Sequence, residues 1–297
     1  MHDDRLETTT ILFFLTPAVL ALLLVACGDS GTATASDEPT TTDAASATTA
    51  APTPTVEVVA AGDDQTACPT EGDEWEVAKL YVEHNATDED TGVHGLFGGE
   101  AWQELCITDP DGNRIFLVDP QAQLHDLAVS DFFFESREPE ATEYSVDDLR
   151  SDFPEGEYTV TGTDYDGVAR MGTARFTHAI PTEPEITGPA RAEDAETADE
   201  STVPSEGLVV TGEPVTETID GDPVTITGYE VIVTMEEFED TEGLSRPVYD
   251  VDVPADLTSL AVPVAFLLPD TIYELEVLAL EESGNQTISV GFFRTAA

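Results

Sequence analysis

The chain has 297 residues, with 62 Asp and Glu against 10 Lys and Arg, a formal net charge of −52. Binding phosphate needs clustered cations, so this composition excludes nucleic acid, and anionic lipid headgroups would repel the chain as well. The acids run through both strand-rich regions instead of forming one tail, which describes a surface acidic all over; salt relieves the self-repulsion of such a surface, which points to a saline habitat.

The first element is the apolar run 11–26, about 15 residues, too short to span a bilayer as a helix but of secretion-signal length. It ends in Leu24-Val25-Ala26-Cys27. An apolar residue, two small ones and a Cys resemble the lipobox of prokaryotic lipoproteins. The resemblance implies that the signal 1–26 is removed and that Cys27 is lipidated on sulfur. Cys27 would then anchor the chain at the extracytoplasmic face of a membrane, at the cell surface or in the periplasm. The start departs from the pattern, since Arg5 is its one base beside Asp3, Asp4 and Glu7. Losing these leaves 59 acids against 9 bases, a mature net charge of −50. Residues 27–66 then reduce to Thr, Ala, Ser, Pro, Asp and Gly, with too little apolar surface to fold. A disordered tract of that length reaches roughly 35 Å and would hold an acidic body off an acidic membrane.

Residues 67–181 read as a first folded unit. Short runs rich in β-branched and aromatic residues predict strands at 74–85, 102–109, 114–118, 132–135, 157–164 and 168–178. Asp109-Pro110-Asp111-Gly112-Asn113 and Asp164-Tyr165-Asp166-Gly167 have hairpin-turn chemistry, and 146–153 is the best candidate for a short helix. Phe153-Pro154-Glu155-Gly156-Glu157-Tyr158, followed by alternation into a strand, resembles the tyrosine corner of immunoglobulin-like domains and implies a β-sandwich. With Cys27 taken by lipid, Cys68 and Cys106 remain as an even pair in an oxidising compartment, so a disulfide is expected. Closing that loop stabilises the fold by about 4 kcal/mol on chain entropy.

Residues 182–297 read as a second sandwich. Strands are expected at 184–189, 208–212 with Leu208 and Val210 inward, 226–236 with Tyr229, Val231 and Val233 inward, and near 259–266. Leu268-Pro269-Asp270-Thr271-Ile272-Tyr273-Glu274-Leu275 opens a further strand, with Tyr273, Leu275, Val277 and Ala279 alternating inward. It resembles the F strand of fibronectin type III domains, with Ser283-Gly284-Asn285 as the F–G hairpin and 287–295 as strand G. The core Trp expected from that family is Gly212 here, so Phe266, Phe292 or Phe293 is expected to fill the space. The acidic stretch 192–201 is read as an insertion with no place in the core.

Motifs for chemistry are sparse. No G-x-S-x-G, H-E-x-x-H, phosphate-cradling glycine loop or nucleophilic Cys occurs, so no enzyme is expected. His84, His94, His125 and His178 lack ligand spacing and read as surface or core residues. The Asp-x-Asp turns at Asp109, Asp111 and Asn113, at Asp164/Asp166 and at Asp250/Asp252 offer oxygen ligands for calcium. The 109 loop misses the EF-hand pattern, and turn formation accounts for all three. Asn85-Ala86-Thr87 and Asn285-Gln286-Thr287 are glycosylation sequons. Asp131-Phe132-Phe133-Phe134-Glu135, with Trp75 and Trp102, is either a sugar-stacking surface or, the preferred reading, core.

The sequence therefore describes an all-β lipoprotein, two tandem immunoglobulin-like and fibronectin type III-like sandwiches behind a signal and a linker. Its expected role is structural, adhesive or protein-interacting, with a surface protein or glycan as partner. The alternative is a lipoprotein that captures a glycan or a divalent cation.

Overall fold

The computed structural model describes residues 68–236, 238 and 246–297; Cys27 and the tract 27–66 lie outside them, apart from which the chain is read as follows. Its strands are β1 (Asp73–Glu74), β2 (Val77–Asn85), β3 (Asp90–Thr108), β4 (Arg114–Val118), β5 (Val129–Glu135), β6 (Gly156–Asp164), β7 (Ala169–Phe176) and β8 (Ile186–Gly188). There follow β9 (Thr202–Val203), β10 (Val209–Gly212), β11 (Ile226–Met235), β12 (Val248–Pro254), β13 (Ser259–Ala261), β14 (Ile272–Glu281) and β15 (Gln286–Thr295). Two short helices, α1 (Ala122–Leu127) and α2 (Val146–Asp152), and a 3-10 turn at Ala195–Ser201 complete an all-β fold.

The first hydrophobic core gathers alternate residues of β2, β3, β6 and β7, among them Leu80, Val82, Phe97, Trp102, Tyr158, Val160 and Phe176. β3 holds it together because it serves two sets of neighbours. Its first part pairs with β2 and β5, and its last part pairs with β4 and β6. The register breaks between Gly98 and Trp102, where Gly99 has a φ of +121°. No strand was expected over 90–100, yet β3 runs from Asp90 through the expected strand to Thr108. Its glycines are there for close approach, since a Cβ at Gly95 would collide with Phe134 and one at Gly98 with Asp131.

Tyr158 donates its hydroxyl to the Pro154 carbonyl at 3.1 Å, the corner bond its sequence setting suggested. Helix α2 begins at Ser145, whose side chain accepts from the Asp148 N–H while the Asp148 carboxylate accepts from the Ser145 N–H, a reciprocal capping box. Cys68 and Cys106 are joined, with Cα atoms 5.9 Å apart. Two of the three consecutive Phe are core: Phe132 and Phe134 pack with Phe116, whereas Phe133 lies on the other face against His94; Trp75 and Trp102 are buried and offer sugars no surface.

The second core lies between the three-stranded sheet β13-β10-β8 and the strands β11, β12, β14 and β15. Leu208, Val210, Tyr229, Val231, Val233, Tyr273, Leu275, Val277 and Ala279 all enter it as the alternation demands. Tyr273 forms a second corner, its hydroxyl accepting from Leu268 N–H at 2.7 Å and donating to the Phe266 carbonyl at 3.3 Å. At Gly212 the register shifts against β8, and a Cβ there would stand 3.0 Å from the Glu185 carbonyl, so a large side chain has no room. Phe293 and Phe266 fill the core against Tyr273 instead, whereas Phe292 pairs with Glu274 on the opposite face. Two expectations are corrected. The stretch 192–201 is no loose insertion, since Ala198 is fully buried and Ala192 bridges to Phe292. Asp250 and Asp252 are not a turn but lie in strand β12, at the end of the large sheet.

The two cores share that sheet, in the order β1-β7-β6-β3-β2-β15-β14-β11-β12. The seam is a parallel pairing of β2 with β15, Glu83 opposite Gln286 and His84 opposite Thr287. Asn285, 1% exposed, fastens it. Its side-chain oxygen accepts from Val82 N–H at 2.8 Å, and its amide donates to the carbonyls of Thr177 at 3.0 Å and Ala179 at 3.3 Å. The expected F–G hairpin is thus a joint. Its sequon at Asn285 is buried with its amide already used.

Candidate functional site

Paired residues of neighbouring strands share a face, so the registers define what lies on the side of the sheet away from both cores. His94 stands opposite Tyr81 and Glu135, and Glu83 opposite Gln286. Beyond the seam come Ile288 opposite Leu278, Val290 opposite Glu276, Leu278 opposite Glu230 and Glu230 opposite Asp252. A small apolar patch of Ile232, Leu278 and Ile288 lies on this face, surrounded by carboxylates.

Burial sets the electrostatics. It pushes Glu276 up to about 8, with Glu274, Glu83 and Asp250 adding repulsion. Glu230 also rises to about 8, through burial and then its neighbour Asp250. Burial likewise raises Glu83, Asp90 and Glu138 to about 7, Glu83 being partly offset by His94.

The tightest group on this face is Glu83, His94 and Glu138, each of which offers a ligand atom within 4.8 Å of the others. His94 is fully buried and Glu83 is 3% exposed. The imidazole Nε2 lies 2.9 Å from Glu138 Oε1, and Nδ1 lies 3.8 Å from Glu83 Oε2 with no hydrogen-bond partner. Gln286 donates from its amide to the Glu83 carboxylate. Local chain geometry explains how Glu138 arrives. The segment after β5 is tied along β3 by Ser136, whose N–H donates to the Val93 carbonyl at 3.0 Å and whose hydroxyl accepts from Val93 N–H at 2.9 Å. Gly92 leaves the necessary space, since a Cβ there would stand 2.7 Å from the Glu138 side chain.

Of the calcium candidates, Asp252 lies on this face opposite Glu230, and the two turns stand apart from it. Asp109 spends both carboxylate oxygens on Asn113, accepting from its N–H at 2.7 Å and its amide at 2.9 Å, while Asp111 is exposed. Asp164 is likewise the closer of its own turn, accepting from Asp166 N–H, Val168 N–H and Arg170. Among the other histidines, His178 bonds the Phe153 carbonyl at 2.8 Å and His84 the Thr91 hydroxyl at 2.9 Å, both structural contacts. His94 is a buried residue, within the surface-or-core expectation; spacing did not reveal its carboxylate neighbours, because they come from positions 83 and 138. The available signal was the hairpin: once 90–100 is strand, pairing puts Glu83 diagonally beside His94.

No protein-family description matches the chain, and no curated protein matches it. Among solved structures it is similar to the FN1-FN3 domains of chicken CNTN1, 13% identical over 77% of this chain and 69% of that one, with a TM-score of 0.27. It is also similar to a tetra-tandem repeat in the extending region of a large adhesion protein, at 14% identity, 74% and 50% coverage and a TM-score of 0.24. A 1.5-MDa bacterial ice-binding adhesin, described for host cell surface retention, gives 14% identity, 76% and 67% coverage and a TM-score of 0.24. The chain spans half the length of the second of these. At such scores the description of the fold rests on the strand pairing and the two cores.

Proposed function

We propose that the chain is a lipid-anchored surface protein that acts by contact, in adhesion or envelope organisation, with another surface protein or a glycan as its partner. The observation that carries this reading is the shared sheet. Two sandwich cores joined edge to edge through β2 and β15 make one stiff platform, and the tract after Cys27 would present it at a distance from the membrane. The second unit is read as fibronectin type III-like on its F-strand sequence and its Tyr273 corner.

The anchor is tested with Cys27→Ser. Loss of the thiol should release the protein from membranes or leave its signal uncleaved. Stable attachment takes more than one acyl chain, each worth about 0.8 kcal/mol per buried methylene, so the expected effect is large. Unchanged membrane partition with a processed N-terminus would overturn the lipoprotein reading. The contact role is tested by screening the full chain against glycans and purified envelope proteins. Saturable binding that is lost on mutating the acidic face supports it, and binding to none of them counts against it.

A further inference from the structure

We propose that Glu83, His94 and Glu138 form a binding site for a divalent first-row transition metal ion of the zinc class, set at the seam between the two cores. This goes beyond the surface role and does not depend on the anchor. Two observations carry it independently. The first is the convergence of three ligand-type side chains within 4.8 Å, from β2, β3 and the segment after β5. The second is the state of His94 itself: it is fully buried, and its Nδ1 points toward Glu83 without any hydrogen-bond partner. A buried polar atom left unpaired costs stability; an ion between Nδ1 and Glu83 would satisfy it, with Glu138, now on Nε2, turning to reach the same ion.

Charge points the same way. Two ionised carboxylates facing one imidazole would leave net negative charge in a poorly hydrated place. A dication on a neutral imidazole and two carboxylates balances to zero. The donor set selects the class of ion, because calcium takes six to eight oxygens whereas zinc accepts mixed nitrogen and carboxylate ligands in a four-coordinate shell. Gln286, donating to Glu83, orients that ligand from outside the shell. Entry is from the side of Glu138, whose side chain is 19% exposed where those of Glu83 and His94 are 4% and 0%. Since Gln286 belongs to β15 and Glu83 to β2, an ion here would also tighten the seam.

The test titrates the metal-stripped full chain with Zn²⁺, Mn²⁺ and Ca²⁺ by calorimetry, in about 1 M NaCl to screen the surface carboxylates. Expected are one high-affinity Zn²⁺ per chain, weaker Mn²⁺ in line with the usual order of stabilities, and no Ca²⁺ binding at that site. Glu138→Gln, at the exposed side of the cluster, should weaken Zn²⁺ at least tenfold while leaving the circular dichroism spectrum unchanged. Should that variant misfold, the wild-type protein decides: Zn²⁺ should shift the imidazole nitrogens of a single one of the five histidines. No saturable Zn²⁺ binding, equal affinity for Ca²⁺, or no imidazole shift would overturn the proposal, leaving the cluster as a buried histidine–carboxylate pair.

Discussion

Glu276 sits in the middle of β14 and is 9% exposed. Burial first, then the charges of Glu274, Glu83, Asp250 and Asp88, move its pKa from 4.5 to about 8. Between those values the folded chain holds a proton that the unfolded chain has released. Its contribution to stability is therefore complete below the unfolded value and is lost as pH rises through about 8. Glu230, also raised to about 8 on the same face, acts with the same sign, so the melting temperature should fall between pH 5 and pH 9. Glu276→Gln keeps the shape and removes the charge. It should raise stability at pH 9 by about 1–2 kcal/mol, or roughly 3–8 °C, and change it little at pH 5. Equal shifts at both pH values, followed by thermal melting, would show that the buried charge is not the cause.

The Cys68–Cys106 bond closes a separation of 38 residues and ties the segment before β1 to the central strand β3. On chain entropy it should contribute about 4 kcal/mol, and reducing it should lower the melting temperature by about 10 °C. Because β2 pairs with β15 and Asn285 bonds both Val82 and Thr177, the loss is expected to appear in a single calorimetric transition. Two separate transitions, with only the first displaced, would mean that the seam carries little energy. The second core was legible because its alternation is simple: Tyr229, Val231, Val233 and Tyr273, Leu275, Val277 are inward as read. The disulfide followed from counting cysteines. The first part of β3, before the expected strand at 102–109, was hidden because Gly92, Gly95, Gly98 and Gly99 signal turns, while here they admit Glu138, Phe134, Asp131 and Glu76 against the backbone. Missing that strand also hid His94, since only its pairing with β2 and β5 brings Glu83 and Glu138 to it. β12 was hidden because Asp250 and Asp252 look like turn residues, although charges are a common guard on a strand at a sheet's edge.

Across the whole molecule, a formal net charge of −52 is packed more densely by folding than in the expanded chain, so repulsion opposes the compact state at low ionic strength. Raising monovalent salt to about 1 M shortens the screening length to about 3 Å, and the melting temperature should climb steadily on the way. A flat profile would remove the inference of a saline habitat. A rise produced by micromolar Zn²⁺ at constant ionic strength would instead report the seam cluster. The seam also dictates an order of events. Gln286 meets Glu83 across 203 residues of chain, and β15 follows every other described strand in the chain. Until it arrives, β2 has an open edge, the kind of surface that recruits strands from other chains, and closure over such a distance is slow. A chain cut short before β15 should therefore aggregate through its N-terminal half, however complete that half's own core.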